Sequence, residues 1–329
     1  MNDLKNRLRG EIDRTLKDLI PPGERFALLD FPNYDNIGDS AIYIGEIDFF
    51  ADQHRRPSFV SERNNIDWVK MERAVGDGPI LLQGGGNLGD IWPGFQLARE
   101  KVLDQYPGRH IVQLPQSLHF GSDEAADRFA RTVERHGAFT LLVRDQPSFD
   151  YATARFSCEV RLCPDMAFAM RPLRRRPASC DVLLHLRIDK EAATTYDTEA
   201  LEASGAFIRK DWPAENLGMM YREARRATKV AGLLSLTFDR SKLRVMLFER
   251  MARMRLDRGI DLLSTGRAVI TDRLHGHILC CLLDIPHVAL DNNYGKIRNF
   301  SAAWDTAGPR ARLASSLDEA VEIAKAWKA

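Results

Sequence analysis

The chain has 329 residues, 44% hydrophobic and 28% charged, with a formal net charge of +1. That length exceeds what one hydrophobic core usually fills and suits two, while the near-zero charge excludes a bulk field that would draw nucleic acid or a strongly acidic partner. The five cysteines are odd in number and lack C-x-x-C spacing, which fits reduced thiols of a cytoplasmic protein rather than a disulfide framework.

The N-terminal stretch carries Leu4, Leu8, Ile12, Leu16 and Leu19 at helical spacing. Its polar face holds Lys5, Arg7, Arg9, Arg14 and Lys17. Such a helix either packs on the domain or meets anionic lipid at the inner face of a membrane. Charges run through it, so it is not a signal peptide, and no run of about twenty residues is apolar enough to span a bilayer.

Strands are expected over 25–31, 79–86, 110–117 and 139–145, with a helix over 40–51. Residues 171–180, rich in Pro and Arg, read as a linker. Beyond it, strands are expected at 181–189, 232–238, 267–272 and 287–291, helices at 242–256 and 315–327. Apolar strands alternating with helices argue for parallel sheets covered on both faces. The expected fold is α/β, with two Rossmann-like doubly wound domains, 1–172 and 180–329, facing across a cleft.

Ligands of open parallel sheets bind outside the carboxyl ends of the strands, and the polar and glycine signals fall there. Residues 33–40, NYDNIGDS, are either a turn capped by Asp39 and Ser40 or a loop offering carboxylates and helix-terminal N–H groups. Residues 83–90, QGGGNLGD, are either a tight strand-to-helix turn or a place where a ligand approaches Gly85, Gly86 and Asn87. No P-loop is present, since no Gly-Lys-Ser/Thr follows the glycines. Arg144 ends a strand and either pairs with Asp145 or another acid, or offers a fork to a carboxylate or phosphate. Arg187, Asp189 and Lys190 repeat that arrangement in the second half. The strongest constellation is TDRLHGH, 271–277. Arg273 and His275 start a helix, where an anion is favoured, and Lys296 can return to the same cleft from the next strand. His277 faces elsewhere and reads as packing or support, and Cys280 and Cys281 as helix packing. The remaining histidines are scattered, so a metal has no support in the spacing.

Taken together, NYDNIGDSAI (33–42), LLQGGGNLGD (81–90), QLPQS (113–117), VRD (143–145), PD (164–165), TDRLHGHI (271–278), IPHV (285–288) and GKI (295–297) resemble the polysaccharide pyruvyl transferase family. The resemblance implies a fold like the GT-B glycosyltransferases. It implies phosphoenolpyruvate as donor, with no further cofactor, and as acceptor a sugar of an exopolysaccharide or cell-surface polysaccharide unit, carried on a polyprenyl diphosphate. The product is a pyruvate ketal, and phosphate leaves. Carried over, Arg144, Arg273 and Lys296 bind donor, His275 is the acid/base, and Asp39 or Asp35 assists. A nucleotide-sugar glycosyltransferase on the same fold and a non-catalytic sugar- or anion-binding protein are the competing readings.

Overall fold

The computed structural model describes residues 2–187, 196–212, 241–291 and 295–327. The expected strand at 232–238 and the residues Asp189 and Lys190 lie outside them. The chain opens with helix α1 (Asn2–Leu16), strand β1 (Ala27–Leu29), helix α2 (Ile37–Asp52), strand β2 (Phe59–Ser61), helix α3 (Trp68–Val75) and strands β3 (Ile80–Leu82) and β4 (Gly85–Gly89). Helix α4 (Pro93–Gln105), strand β5 (Ile111–His119), helix α5 (Asp123–His136), strand β6 (Phe139–Val143), helix α6 (Gln146–Arg155) and strand β7 (Glu159–Leu162) follow, then a 3-10 turn at Met166–Ala169. The strands form one parallel sheet in the order β2-β1-β3-β5-β6-β7, with β4 beside β5.

The second sheet is also parallel. It uses β8 (Cys180–His185), β9 (Phe207–Arg209), β10 (Gly266–Thr271), β11 (His287–Leu290) and β12 (Ala311–Ala314) in the order β12-β11-β10-β8-β9. Its helices are α7 (Glu199–Ala203), α8 (Ser241–Ser264), α9 (Leu274–Leu283), α10 (Lys296–Trp304) and α11 (Leu317–Ala326). The strands are short apolar runs such as ILL and FTLLV, buried along their length, as strands covered on both faces must be. Among the described strands, the order reverses at β1/β3 in the first sheet and at β8/β10 in the second. Crevices at such reversals, beyond the carboxyl ends of the strands, are where ligands bind.

Helix α2 lies between the two sheets. Apart from Asp39, Ala51 and Asp52 its residues are buried, because its sequence is apolar around most of its circumference. One continuous hydrophobic cluster runs from Leu28 and Leu81 of the first sheet, through Ile42, Tyr43 and Ile47 of α2 and Phe248 and Met251 of α8, to Leu183 and Val269 of the second. Separate clusters cover the outer faces of the two sheets.

Three local expectations are corrected. Helix α2 starts at Ile37, not Ser40: Asn36 is its N-cap and accepts the Gly38 N–H at 2.9 Å. The glycine run does not turn straight into a helix. Gly85–Gly89 continue as β4 along β5, and α4 begins at Pro93, a residue suited to a helix start. The helix at 242–256 runs on to Ser264. Helix α1 packs on the body: Leu8, Ile12 and Leu16 sit in the central cluster. Arg7 donates to Trp304 O, and Arg9 donates to Ala169 O and Asp52. Its apolar stripe is therefore turned away from any membrane. Among the described residues no helix is long and apolar enough to cross one.

Candidate active site

Three helix N-termini meet where the sheets face each other. Gly38, in the first turn of α2, lies against His275, in the first turn of α9. A methyl group on Gly38 would sit 2.3 Å from His275 Nδ1. Lys296 opens α10, after Gly295 in the left-handed region (φ 66°). A methyl group on Gly86 would sit 2.8 Å from Arg144 Nη2 and 3.7 Å from Lys296 Nζ. The first-sheet glycines thus lie beside two cations, and the converging helix ends add positive partial charge.

Arg144, at the carboxyl end of β6, is 2% exposed. It pairs not with Asp145 but with Asp165: Nη1 donates to Asp165 Oδ2 at 2.5 Å, and Nε donates to Ser117 Oγ at 2.9 Å. Asp145 instead caps α6 through Ser148 N and accepts from Ser117 Oγ. This fixes the guanidinium plane and leaves Nη2 toward Gly86. Asp165 Oδ1 takes the Ala167 N–H at 2.9 Å, and His275 Nε2 lies 3.4 Å from Oδ2. Burial alone would raise the Asp165 carboxyl. The His275 ring, Arg144 and the Ala167 N–H outweigh it and hold the group well below the usual carboxylate range.

Asp39 belongs to the same cleft. Its Oδ2 accepts from Tyr34 Oη (2.8 Å) and Asn36 Nδ2 (2.9 Å), and its Oδ1 lies 3.7 Å from where a Gly85 side chain would begin. Asn87 is held by Gln116 and Arg99: its N–H donates to Gln116 Oε1, and its Oδ1 accepts from Arg99 Nη2. Asp35 points elsewhere. It takes Arg258 Nη2 of α8 at 2.7 Å, a partly exposed pair that ties the loop to the second half.

Arg273 is the N-cap of α9 and 7% exposed. Its Nε and Nη2 both donate to the Asp211 carboxylate, at 2.5 and 2.7 Å. Arg187 sits at the β8/β10 reversal, where its backbone N–H donates to Asp272 Oδ1 at 2.9 Å. The structure therefore joins His275, Arg144, Lys296, Gly85, Gly86 and Asp39 in one cleft. Arg273 and Arg187 stand at its second-sheet side, and Asp35 is a strut.

Sequence reading passed over several groups. Asp165 was visible only as part of a Pro-Asp pair, and Asp211 has no motif around it. Asp30, at the end of β1 and at the first sheet's reversal, has φ 71°. Its Oδ1 is buried without a partner, and burial pushes its carboxyl up to about 7 against the pull of Arg99 and Arg63. Glu46 on α2 accepts the Gly84 N–H at 2.9 Å. Burial, with Asp165, Asp30 and Asp39 nearby, raises it well above the usual range. Gly276 is required by packing: a methyl there would meet Thr271 Oγ1 at 2.3 Å and His185 Nδ1 at 2.8 Å.

His277 is buried, as its offset from His275 suggested. Its Nδ1 lies 2.8 Å from His287 Nε2, and its Nε2 lies 2.7 Å from Thr306 Oγ1. His287 Nδ1 is 2.9 Å from Ile285 O, an acceptor, so that nitrogen carries the proton and Nε2 accepts. Cys281 Sγ is nearby, and the three donor atoms fall within 4.8 Å of one another. The facing nitrogens are joined by a hydrogen bond, and burial lowers both rings, His287 to about 4. The cluster is a neutral packed chain. Cys280 and Cys281 are buried free thiols.

Known proteins place this cleft in context. A relative from Bacillus subtilis strain 168, named "Putative pyruvyl transferase EpsO", is 31% identical over 95% of this chain and 94% of its own length. Pyruvyl transferase 1 of Schizosaccharomyces pombe is 28% identical over 92% of this chain and 76% of its own. A crystal structure of an uncharacterised Klebsiella pneumoniae protein shares the fold, with a TM-score of 0.61 and 20% identity over 94% of this chain and 99% of that one. The sequence profile of the polysaccharide pyruvyl transferases matches residues 36–294, a span that holds Asp39, Gly86, Arg144, Asp165 and His275, and the chain belongs to that family.

Proposed function

We propose that the protein moves the pyruvyl group of phosphoenolpyruvate onto a sugar of an exopolysaccharide or cell-surface polysaccharide unit, carried on a polyprenyl diphosphate, forming a pyruvate ketal and releasing phosphate. The observation that carries this reading is the convergence of Arg144 Nη2 and Lys296 on the bare backbone of Gly86, beside His275. A small ligand with a carboxylate and a phosphate close together needs several fixed cations and close backbone approach. Arg273 is a further cation for the donor, kept extended by Asp211 until an anion competes for it.

In the reaction, the methylene carbon of the donor gains a proton and a sugar hydroxyl adds to C2, with His275 exchanging the proton in one or more of the steps. The hydroxyl proton passes to a base, for which Asp39 is better placed than Asp35, since Asp35 is held by Arg258. The C2–O bond to phosphate then breaks. A second hydroxyl closes the ketal; of the two hydroxyl protons, one makes good the proton taken up by the methylene carbon and the other leaves on phosphate, so phosphoenolpyruvate and a diol become ketal and phosphate. Proton transfer by a positioned side chain is worth about 10²–10⁴-fold. The two sheets, joined through α2, are read as GT-B-like domains 1–172 and 180–329. The reaction is assigned to the cytoplasmic side, and the lipid carrier is met by surfaces other than the apolar stripe of α1.

The test is phosphate release from phosphoenolpyruvate with a panel of free and lipid-linked sugar acceptors. Acceptor-dependent release by the wild type, lost in His275→Ala while donor still binds, is the expected result. Thermal stabilisation by nucleotide sugars and none by phosphoenolpyruvate would overturn the reading in favour of glycosyl transfer.

A further inference from the structure

We propose that Asp165 is a positioning residue that anchors His275 through Nε2 and Arg144 through Nη1, so that Nδ1 of His275 is the nitrogen that exchanges the proton. The proton transfer rests on the function proposed above; the geometry does not.

Asp165 is 1% exposed and sits between β7 and the 3-10 turn. Two donors bond its carboxylate, the Ala167 N–H on Oδ1 (2.9 Å) and Arg144 Nη1 on Oδ2 (2.5 Å), and His275 Nε2 stands 3.4 Å from Oδ2. His275 Nε2 is sealed from solvent and lies off the hydrogen-bond line to Oδ2. A small turn of the ring closes that bond, as happens when catalytic contacts tighten around a ligand. The other nitrogen, Nδ1, lies against Gly38, where even a methyl group would collide. The absence of a side chain there is what lets the ring stand with Nδ1 at the first turn of α2. With a carboxylate accepting from Nε2–H, the neutral ring holds its lone pair on Nδ1, the tautomer control that a buried carboxylate exerts on a catalytic histidine.

An amide cannot replace this carboxylate. Both oxygens face donors, so an asparagine would set its NH2 against Ala167 N–H or against Arg144 and His275. The same carboxylate also fixes Arg144, whose other side is held by Ser117 and, through it, by Asp145. One buried group thus sets both a donor-binding cation and the proton carrier.

Nitrogen-15 histidine NMR on the whole protein reads the tautomer directly, with His275 assigned from its absence in His275→Gln. At a pH where the ring is neutral, the wild type should show the Nε2–H form. The Nδ1–H form in wild type would overturn the proposal, whatever the fate of any variant. Asp165→Asn should move the ring toward Nδ1–H or a mixture; an unchanged tautomer would refute the anchor. Ser117→Ala, which removes bonds to Arg144 and Asp145 but none to Asp165 or His275, should leave the tautomer alone. In turnover, Asp165→Asn should lower kcat about 10²–10⁴-fold and raise KM for phosphoenolpyruvate. In a His275→Gln background it should raise KM with no further loss of kcat. Multiplicative losses of kcat would mean that Asp165 acts independently of His275. If the wild type releases no phosphate from phosphoenolpyruvate, the function falls, and the tautomer measurement still decides the role of Asp165.

Discussion

Gly38→Ala tests whether His275 works where it stands. The added methyl would overlap His275 at Nδ1 (2.3 Å), Cγ (2.6 Å) and Cβ (2.9 Å). Carbon and nitrogen want roughly 3.5 Å or more, so the ring must retreat by about 1 Å. Rotation about χ1 cannot relieve an overlap that includes Cβ, so the first turn of α9 must shift as well. That turn is braced, because Gly276 is packed on Thr271 and His185. Overpacking of this kind costs about 1–3 kcal/mol, and replacing a helical glycine by alanine returns up to about 1 kcal/mol. The net loss is therefore about 0–3 kcal/mol, a fall of a few degrees in Tm for a chain of this size. Displacing a proton-transfer group by about 1 Å can lower turnover on the order of 10²-fold. The assay pairs thermal melting with kcat for phosphate release. Wild-type turnover in a folded Gly38→Ala protein would refute the placement of His275 in the chemistry.

Gly86→Ala should act on binding instead. Its methyl lies 2.8 Å from Arg144 Nη2, and Arg144 is pinned by Asp165 and Ser117. A loss of about 1.4 kcal/mol would raise KM for phosphoenolpyruvate about tenfold, with melting little changed; steady-state kinetics at saturating acceptor reads this. The two loop aspartates should separate. Asp35→Asn breaks a partly exposed pair with Arg258, should lower stability by at most about 1 kcal/mol and should keep its turnover. Asp39→Asn should lower kcat, and equal kinetics for the pair would refute the choice of Asp39. Asp30 should make stability fall with rising pH. Its folded pKa is about 7 against about 4 unfolded, so only the folded state holds the proton between those values. Stability therefore drops from about pH 4 to pH 7, by at most about 4 kcal/mol. Urea melts at pH 5 and pH 8 should show Asp30→Asn gaining on wild type at pH 8; an equal difference at both would refute the assignment.

Much of the architecture was legible because it rests on local signals. Continuous apolar runs ended by Gly, Pro or Asp mark parallel strands, and Ser316 caps α11 through Glu319 N as its sequence suggests. Elements set by tertiary context were not legible. Gly85–Gly89 form a strand because the carboxyl half of β5, beyond its pairing with β3, is there to pair with them, and glycine carries no strand signal of its own. Helix α2 begins early because Asn36, not Asp39, supplies the cap. In the site, charged residues next to glycines or in a dense motif stood out: Arg144, His275 and Lys296. Asp165 and Asp211 matter through what they hold, and a partner 21 or 62 residues away along the chain leaves no trace in spacing.

The buried carboxylates show why the cleft can attract an anion despite several acids around it. Burial pushes Asp165, Asp272, Asp30 and Glu46 toward neutrality, and the donors each receives decide the outcome. Asp165, with Arg144, the Ala167 N–H and His275 around it, stays ionised. Asp272 has the Arg187 N–H on one oxygen and nothing on the other, and it rises to about 6. Asp30, with one buried oxygen unpartnered, rises to about 7. Glu46 has a single N–H and three acidic neighbours, and it rises well above the usual range. The carboxylate kept charged is the one whose charge orients Arg144 and His275. The raised pKa of Glu46, and in part that of Asp30, lessens negative charge that would repel the phosphorylated carboxylate of the proposed donor. On the proposed function, the donor site is thus built from neutralised acids as well as from cations.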